Sequence, residues 1–171
     1  MEFAGNNKNS VTLATSVYMQ HFTMRKTSLI AYLSATLFVG LLMGCKGDKT
    51  PPVSERIAKI WTARSVDENS VTVYTKGGAS NVRDYSKFTL NLSSAPTVNY
   101  TEFDGNTFVG QYSVPTDTRL VLTNLSPSPT GTNGSIEFTI NSISDNELVI
   151  TRTTTSQKTG GTINKYTLTT P

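Results

Sequence analysis

The sequence predicts an all-β domain, an antiparallel up-and-down meander of about eight or nine strands closing into a small barrel. Three observations predict it. From Trp61 onward apolar and polar residues alternate at period two. The alternating runs are rich in Thr, Val, Ile, Tyr and Phe, and each ends in Gly, Asn, Asp, Ser or Pro. The links between runs are short, which makes successive strands antiparallel neighbours. One apolar face and one wet face over that many strands fits a sheet curled on itself, and closure removes the edges on which chains aggregate. An immunoglobulin-like β-sandwich is the alternative, distinguished by connections that cross between two sheets.

The elements follow in order. Residues 54–60 place Ile57 and Ile60 three apart behind Ser54 as a capping residue, which predicts one short helical turn before Trp61. Strands are predicted over 61–67, 71–76, 85–92, 97–103, 107–114, 119–125, 135–143, 147–155 and 163–169. Asp104-Gly105 separates two alternating runs and is a strong hairpin signal, because glycine accepts the positive φ of a tight turn. Asp145-Asn146 and residues 67–70 read as further tight links. Phe88, Leu90 and Leu92 share one side of their strand, as do Val98 and Tyr100, Leu120 and Leu122, Ile136, Phe138 and Ile140, Leu148 and Ile150, and Tyr166 and Leu168. The opposite sides carry Lys87, Thr89, Asn91, Glu137, Thr139 and Asn141.

Ahead of this domain lies a different kind of segment. Met24-Arg25-Lys26 supplies a positive start, 29–42 an apolar core, and Leu42-Met43-Gly44-Cys45 resembles a bacterial lipobox. The core is about 14 residues, short of the roughly 20 of a spanning helix. The resemblance implies a signal peptide over 24–44, cleavage before Cys45, a diacylglycerol on its sulfur and a palmitate-type acyl group on the new amino terminus. Two or three acyl chains are enough for stable anchoring. Lys46 after the cysteine resembles lipoproteins sorted to the outer membrane, on either its periplasmic or its outer face. Residues 1–23 read as an upstream extension, with Met24 as the start of translation. Residues 45–54, with Pro51-Pro52, read as a stiff, solvated lipidated tether, and 55–171 as the β-domain.

Composition removes several functions. From Lys46 onward there are twelve Lys and Arg against eleven Asp and Glu, so no basic face advertises nucleic acid. The lone cysteine is assigned to lipid, so no internal disulfide forms and stability rests on the core. The single histidine, His21, precedes the domain, which leaves no Ser-His-Asp or Cys-His nucleophile and no imidazole or thiolate for zinc. Neither a catalytic residue, a metal site nor a cofactor is expected. Glu102 and Asp104 share a parity and could divide acid and base roles, but Asp104 reads as a turn residue and Glu102 as a solvated strand residue. Asp104-Gly105-Asn106 lacks the spaced ligands of a calcium loop. Gly77-Gly78 and Gly160-Gly161 open no helix that could cradle phosphate, and read as mouth loops.

Residues 57–66, the long meander and residues 143–150 together resemble the small lipocalin-like lipoproteins of Gram-negative bacteria. The resemblance implies an up-and-down barrel with a ligand cavity. It makes Trp61 the tryptophan that closes the barrel floor, with Lys59 where the family has glycine, and Arg152 the late-strand arginine that packs over this tryptophan. Two functions are expected to compete. In one, a small apolar ligand is lined by Trp61, Phe88, Leu90, Tyr100, Leu122, Phe138, Ile150 and Arg152. In the other, a packed barrel meets a protein or glycan partner through loops 77–84 and 126–134.

Overall fold

One turn of helix, α1 (Val53–Arg56), leads into nine strands: β1 (Ile60–Glu68), β2 (Val71–Thr75), β3 (Thr89–Ser94), β4 (Thr97–Thr101), β5 (Thr107–Thr116), β6 (Arg119–Ser126), β7 (Ile136–Ile143), β8 (Glu147–Arg152) and β9 (Asn164–Thr169). They belong to a computed structural model that describes residues 50–171. The upstream extension, the leader, Cys45 and the tether up to residue 49 lie outside the described residues.

Every pairing among these strands is antiparallel, and they run in the order β2-β1-β3-β4-β5-β6-β7-β8-β9, with β9 returning to β1. Eight strands therefore close a ring, while β2 folds back on the second half of β1. This is an up-and-down barrel; the described strands make one sheet, and the sandwich alternative falls. β1 serves three neighbours: Ile60 to Thr62 face β3, Ser65 to Glu68 face β2, and the stretch from Thr62 to Glu68 faces β9. It does so by breaking register between Ala63 and Ser65 against β9 and between Val66 and Asp67 against β2. An extra residue at such a break bends the strand and tightens its twist, as closure requires.

The inward residues of each strand make the core, which includes Trp61, Leu90, Leu92, Tyr100, Leu120, Leu122, Phe138, Leu148, Ile150 and Leu168. Burial at every second position is the physical content of the period-two pattern. Where β5 crosses β6, Gly110 is the fitting residue for another reason. A Cβ there would stand 2.5 Å from the Thr123 carbonyl oxygen and 3.0 Å from the Leu125 nitrogen.

Five expectations shift. The strand predicted over 85–92 begins only at Thr89, because Asp84 accepts the Ser86 N–H at 2.8 Å and Phe88 N–H reaches back to the Tyr85 carbonyl, making a turn whose aromatics are still buried. The strand predicted over 147–155 ends at Arg152, and the one over 97–103 ends at Thr101. Ser54 is not a cap: the helix starts from Pro52, whose carbonyl accepts the Glu55 and Arg56 N–H groups. Val53, counted with the tether, is already buried in the core.

Trp61→Ala should lower the unfolding free energy by about 3–5 kcal/mol through the cavity it leaves, read from urea denaturation. Gly110→Ala should cost about 1–3 kcal/mol through overpacking against backbone that cannot swing away, with a matching fall in the thermal midpoint.

Candidate functional site

The barrel interior is graded along its axis, and the strand register fixes the grading. At the floor, Trp61 is fully buried and its indole N–H donates to the Ile57 carbonyl at 2.9 Å, so α1 and β1 fold as one plug. The Arg56 guanidinium donates to the Ile143 carbonyl at 2.6 Å and Lys59 Nζ to the Asp145 carbonyl at 2.5 Å, fastening that plug to the β7–β8 turn. Ala63, Leu168 and Leu148 lie in one register row beside it.

Above the floor lies a layer of rings. Phe88 stacks on Tyr166 with centroids 4.7 Å apart, and Tyr100 and Phe138 meet these two edge-on at 5.8 and 6.1 Å. Offset and edge-on contacts of this kind add to the area that the rings bury.

At the other end the inward positions turn polar. Glu68 ends β1, Glu102 follows β4, Arg152 ends β8 and Asn164 begins β9, and all four are buried. Burial without a partner is costly, so each polar group needs one. Glu68 accepts from Arg83 Nε at 2.7 Å and from the Tyr85 hydroxyl at 2.8 Å. Asn164 donates to the hydroxyls of Tyr85 and Tyr166 at 3.4 and 3.2 Å and accepts from Thr162 at 2.6 Å. Loop 153–163, which holds a short 3-10 turn over Gln157–Thr159, lies over this end. Its Lys158 reaches Glu102 Oε2 at 2.5 Å and Asp104 Oδ2 at 2.8 Å, with Nζ 5.6 Å from the Phe108 ring centre. The tie leaves its mark on both partners. Burial pulls Lys158 down, but its hydrogen bonds to Asp104 and Glu102 outweigh this and leave its pKa raised. Burial pushes Asp104 up, and the bonds from Lys158 and the Asn106 N–H overcome it, so its pKa is lowered. Desolvation holds the phenols of Tyr74, Tyr85, Tyr100 and Tyr112 above the ordinary range and pushes Tyr166 up to about 12.

The expected lining residues divide among these levels. Trp61 lies in the floor; Phe88, Tyr100 and Phe138 are in the ring layer; Leu90, Leu122 and Ile150 are buried inward residues of β3, β6 and β8. Arg152 requires correction. It follows Leu148 by four residues, about 13 Å along the strand, and lies at the polar end away from Trp61. The cation over the Trp61 ring is Lys59, with Nζ 5.9 Å from its centre, the residue that stands where the family has glycine. Glu102 is also corrected, from solvated to 6% exposed and ion-paired. Sequence reasoning missed Glu68, Asn164 and Lys158. The first two keep the parity of the buried residues of their strands, a signal that polar identity conceals. Outside the barrel wall, Asp67, Asn69, Ser70, Thr151, Ile163 and Lys165 line an open groove of about 460 Å³ that is largely polar.

The chain is similar in structure to a lipocalin-like protein from Bacteroides uniformis, at 15% identity and a TM-score of 0.48, over 68% of this chain and 99% of that one. It is also similar to an uncharacterized protein from Bacteroides eggerthii, at 14% identity and a TM-score of 0.40, over 66% and 98%. No family model matches the chain, and no curated protein matches it.

Lys158→Met should leave Glu102 buried without its cation and lower the unfolding free energy at pH 7 by about 3 kcal/mol; adding Glu102→Gln should recover part of that loss in the same urea assay. The pH profile has two limbs. The raised pKa values of Lys158 and the tyrosines make their contributions complete below the ordinary lysine and phenol ranges and lost as pH rises through the raised values. The lowered pKa of Asp104 makes its contribution complete above the ordinary carboxylate range and lost as pH falls through the lowered value. Absorbance at the phenolate band should rise on the alkaline limb together with the loss of strand circular dichroism, not before it.

Proposed function

We propose that the protein is a lipid-anchored, lipocalin-like binding protein of the outer membrane that takes up a small, mostly apolar ligand in the upper part of its barrel. The observation that carries this reading is the difference between the two ends. The floor is sealed by an apolar plug of Trp61, Ile57 and Val53 that cannot open without exposing core. The mouth is fastened instead by side-chain ion pairs from Lys158 and Arg83, and loop 153–163 carries two left-handed glycines, Gly160 and Gly161. Between them lies the apolar ring layer of Phe88, Tyr100, Phe138 and Tyr166, which an entering ligand must part.

The anchor rests on Cys45 and the leader ahead of it. The described chain enters the barrel through α1 at the floor, the end opposite the mouth. The barrel acts by binding and not by catalysis.

A second reading, a packed barrel that meets a protein or glycan partner through loops 77–84 and 126–134, draws support from the ring layer, whose 4.7 Å stack occupies the middle of the lumen, and from Val82, 79% exposed in the first loop.

Native mass spectrometry of residues 46–171, purified gently from the host and compared before and after denaturation, separates the two. The binding reading expects a reproducible extra mass that leaves on unfolding. A bare chain that also fails to bind a fluorescent fatty-acid probe would transfer the function to the loops.

A further inference from the structure

Arg152 stands apart from the other buried charges at the mouth, Glu68 and Glu102, each of which has an ion-pair partner. The residue is 4% exposed, and its Nε is fully buried with no hydrogen-bond acceptor. Among the described residues no carboxylate lies within 4.0 Å of its guanidinium, and the cations seated over ring faces are Lys59, Arg83 and Lys158. The acids at this end are already engaged: Glu68 with Arg83 and Tyr85, Glu102 and Asp104 with Lys158. A buried cation with no counter-charge beside it is costly to the fold. Yet Arg152 occupies the last inward position of β8, one residue pair from Ile150 and directly across from Phe138 on β7.

We infer that Arg152 is the counter-ion for an acid group on the barrel's ligand, which makes that ligand an apolar body carrying one oxyanion, a carboxylate or its sulfonate equivalent. The inference rests on the ligand-binding reading and narrows it. A guanidinium presents paired N–H donors that match the two oxygens of such a group, and the hydrogen bonds are charge-assisted. Two neutral phenols stand close by. The positive charge of Arg152 acts on both Tyr100 and Tyr166, drawing their pKa values down against the burial that raises them. Tyr166 accepts from Asn164 and so keeps its own proton to donate. With Glu102 neutralised by Lys158, an incoming anion meets a net positive corner bordered by rings, and its apolar part enters against the ring layer of Phe88 and Phe138.

The test uses a matched pair of probes, 8-anilinonaphthalene-1-sulfonate and neutral N-phenyl-1-naphthylamine, which differ by one sulfonate. Residues 50–171 close their own sheet around their own core, so the domain from residue 46 is used. Fluorescence titration should give the anionic probe an affinity roughly 10- to 100-fold above that of the neutral one, the range expected for hydrogen bonds to a charged group. Arg152→Met should abolish that preference and leave the neutral probe unchanged, while Lys165→Met on the outer face should alter neither. Without ligand, Arg152→Met should also hold or raise the thermal midpoint, because it removes an uncompensated buried charge. Equal affinities of the wild type for both probes would overturn the inference and leave the ligand-binding reading standing. Failure of both probes to bind would count against both. A lower midpoint or an unfolded Arg152→Met chain would mean that the arginine has an internal partner, and the inference would fall.

Discussion

The pairing of β9 with β1 is the constraint on which the rest depends. With it, every inward side chain faces a closed lumen; without it, β1 and β9 would each be an exposed edge and the rows beside Trp61 would lie open. Antiparallel strands that close in this way must tilt and stagger, and β1 absorbs the stagger through its two register breaks. That is why one nine-residue strand can hold β3 at its start and β2 at its end on one side while holding β9 on the other. It is also why the inward position at its far end falls on Glu68.

The polarity gradient follows from the same closure. A position near the floor is surrounded by other strands and by α1, so only an apolar group can be buried there cheaply. Positions at the strand ends toward the mouth lie under loops rich in hydroxyls and charges, which can pair with them. Glu68, Glu102 and Asn164 find their partners in loops 76–88 and 153–163, so these loops are held down by the residues they cover. Arg152 is the member of this ring to which the described residues bring no counter-charge.

Much of the architecture was legible in the sequence because strand burial writes itself at period two. The strands, the Asp104-Gly105 turn and the closing barrel follow from that pattern and from short links. The missed features share a cause. Residues 85–88, read as strand, form a turn that still buries Tyr85 and Phe88, and alternation does not tell the two apart. Glu68, Glu102 and Asn164 are buried with polar identities, so a reading that equates inward with apolar passes over them. Lys158 is separated from Glu102 by 56 positions and reaches it only because the β8–β9 loop folds across the end of the barrel. Arg152 was assigned to Trp61 by resemblance, and the distance along β8 rules this out, because a cation four residues up a strand cannot reach the floor.

The closing pair also has a consequence in time. The Thr62 hydroxyl donates to the Thr169 carbonyl, 107 positions away, so the seam joins the first and last strands of the domain. Contacts of such long sequence separation form late and slowly, since loop closure must precede any gain from them. Until β9 is in place the growing sheet has two unpaired borders. A sheet without this seam leaves two borders on which other chains can pair, and one closing pair turns an open ribbon into a sealed vessel.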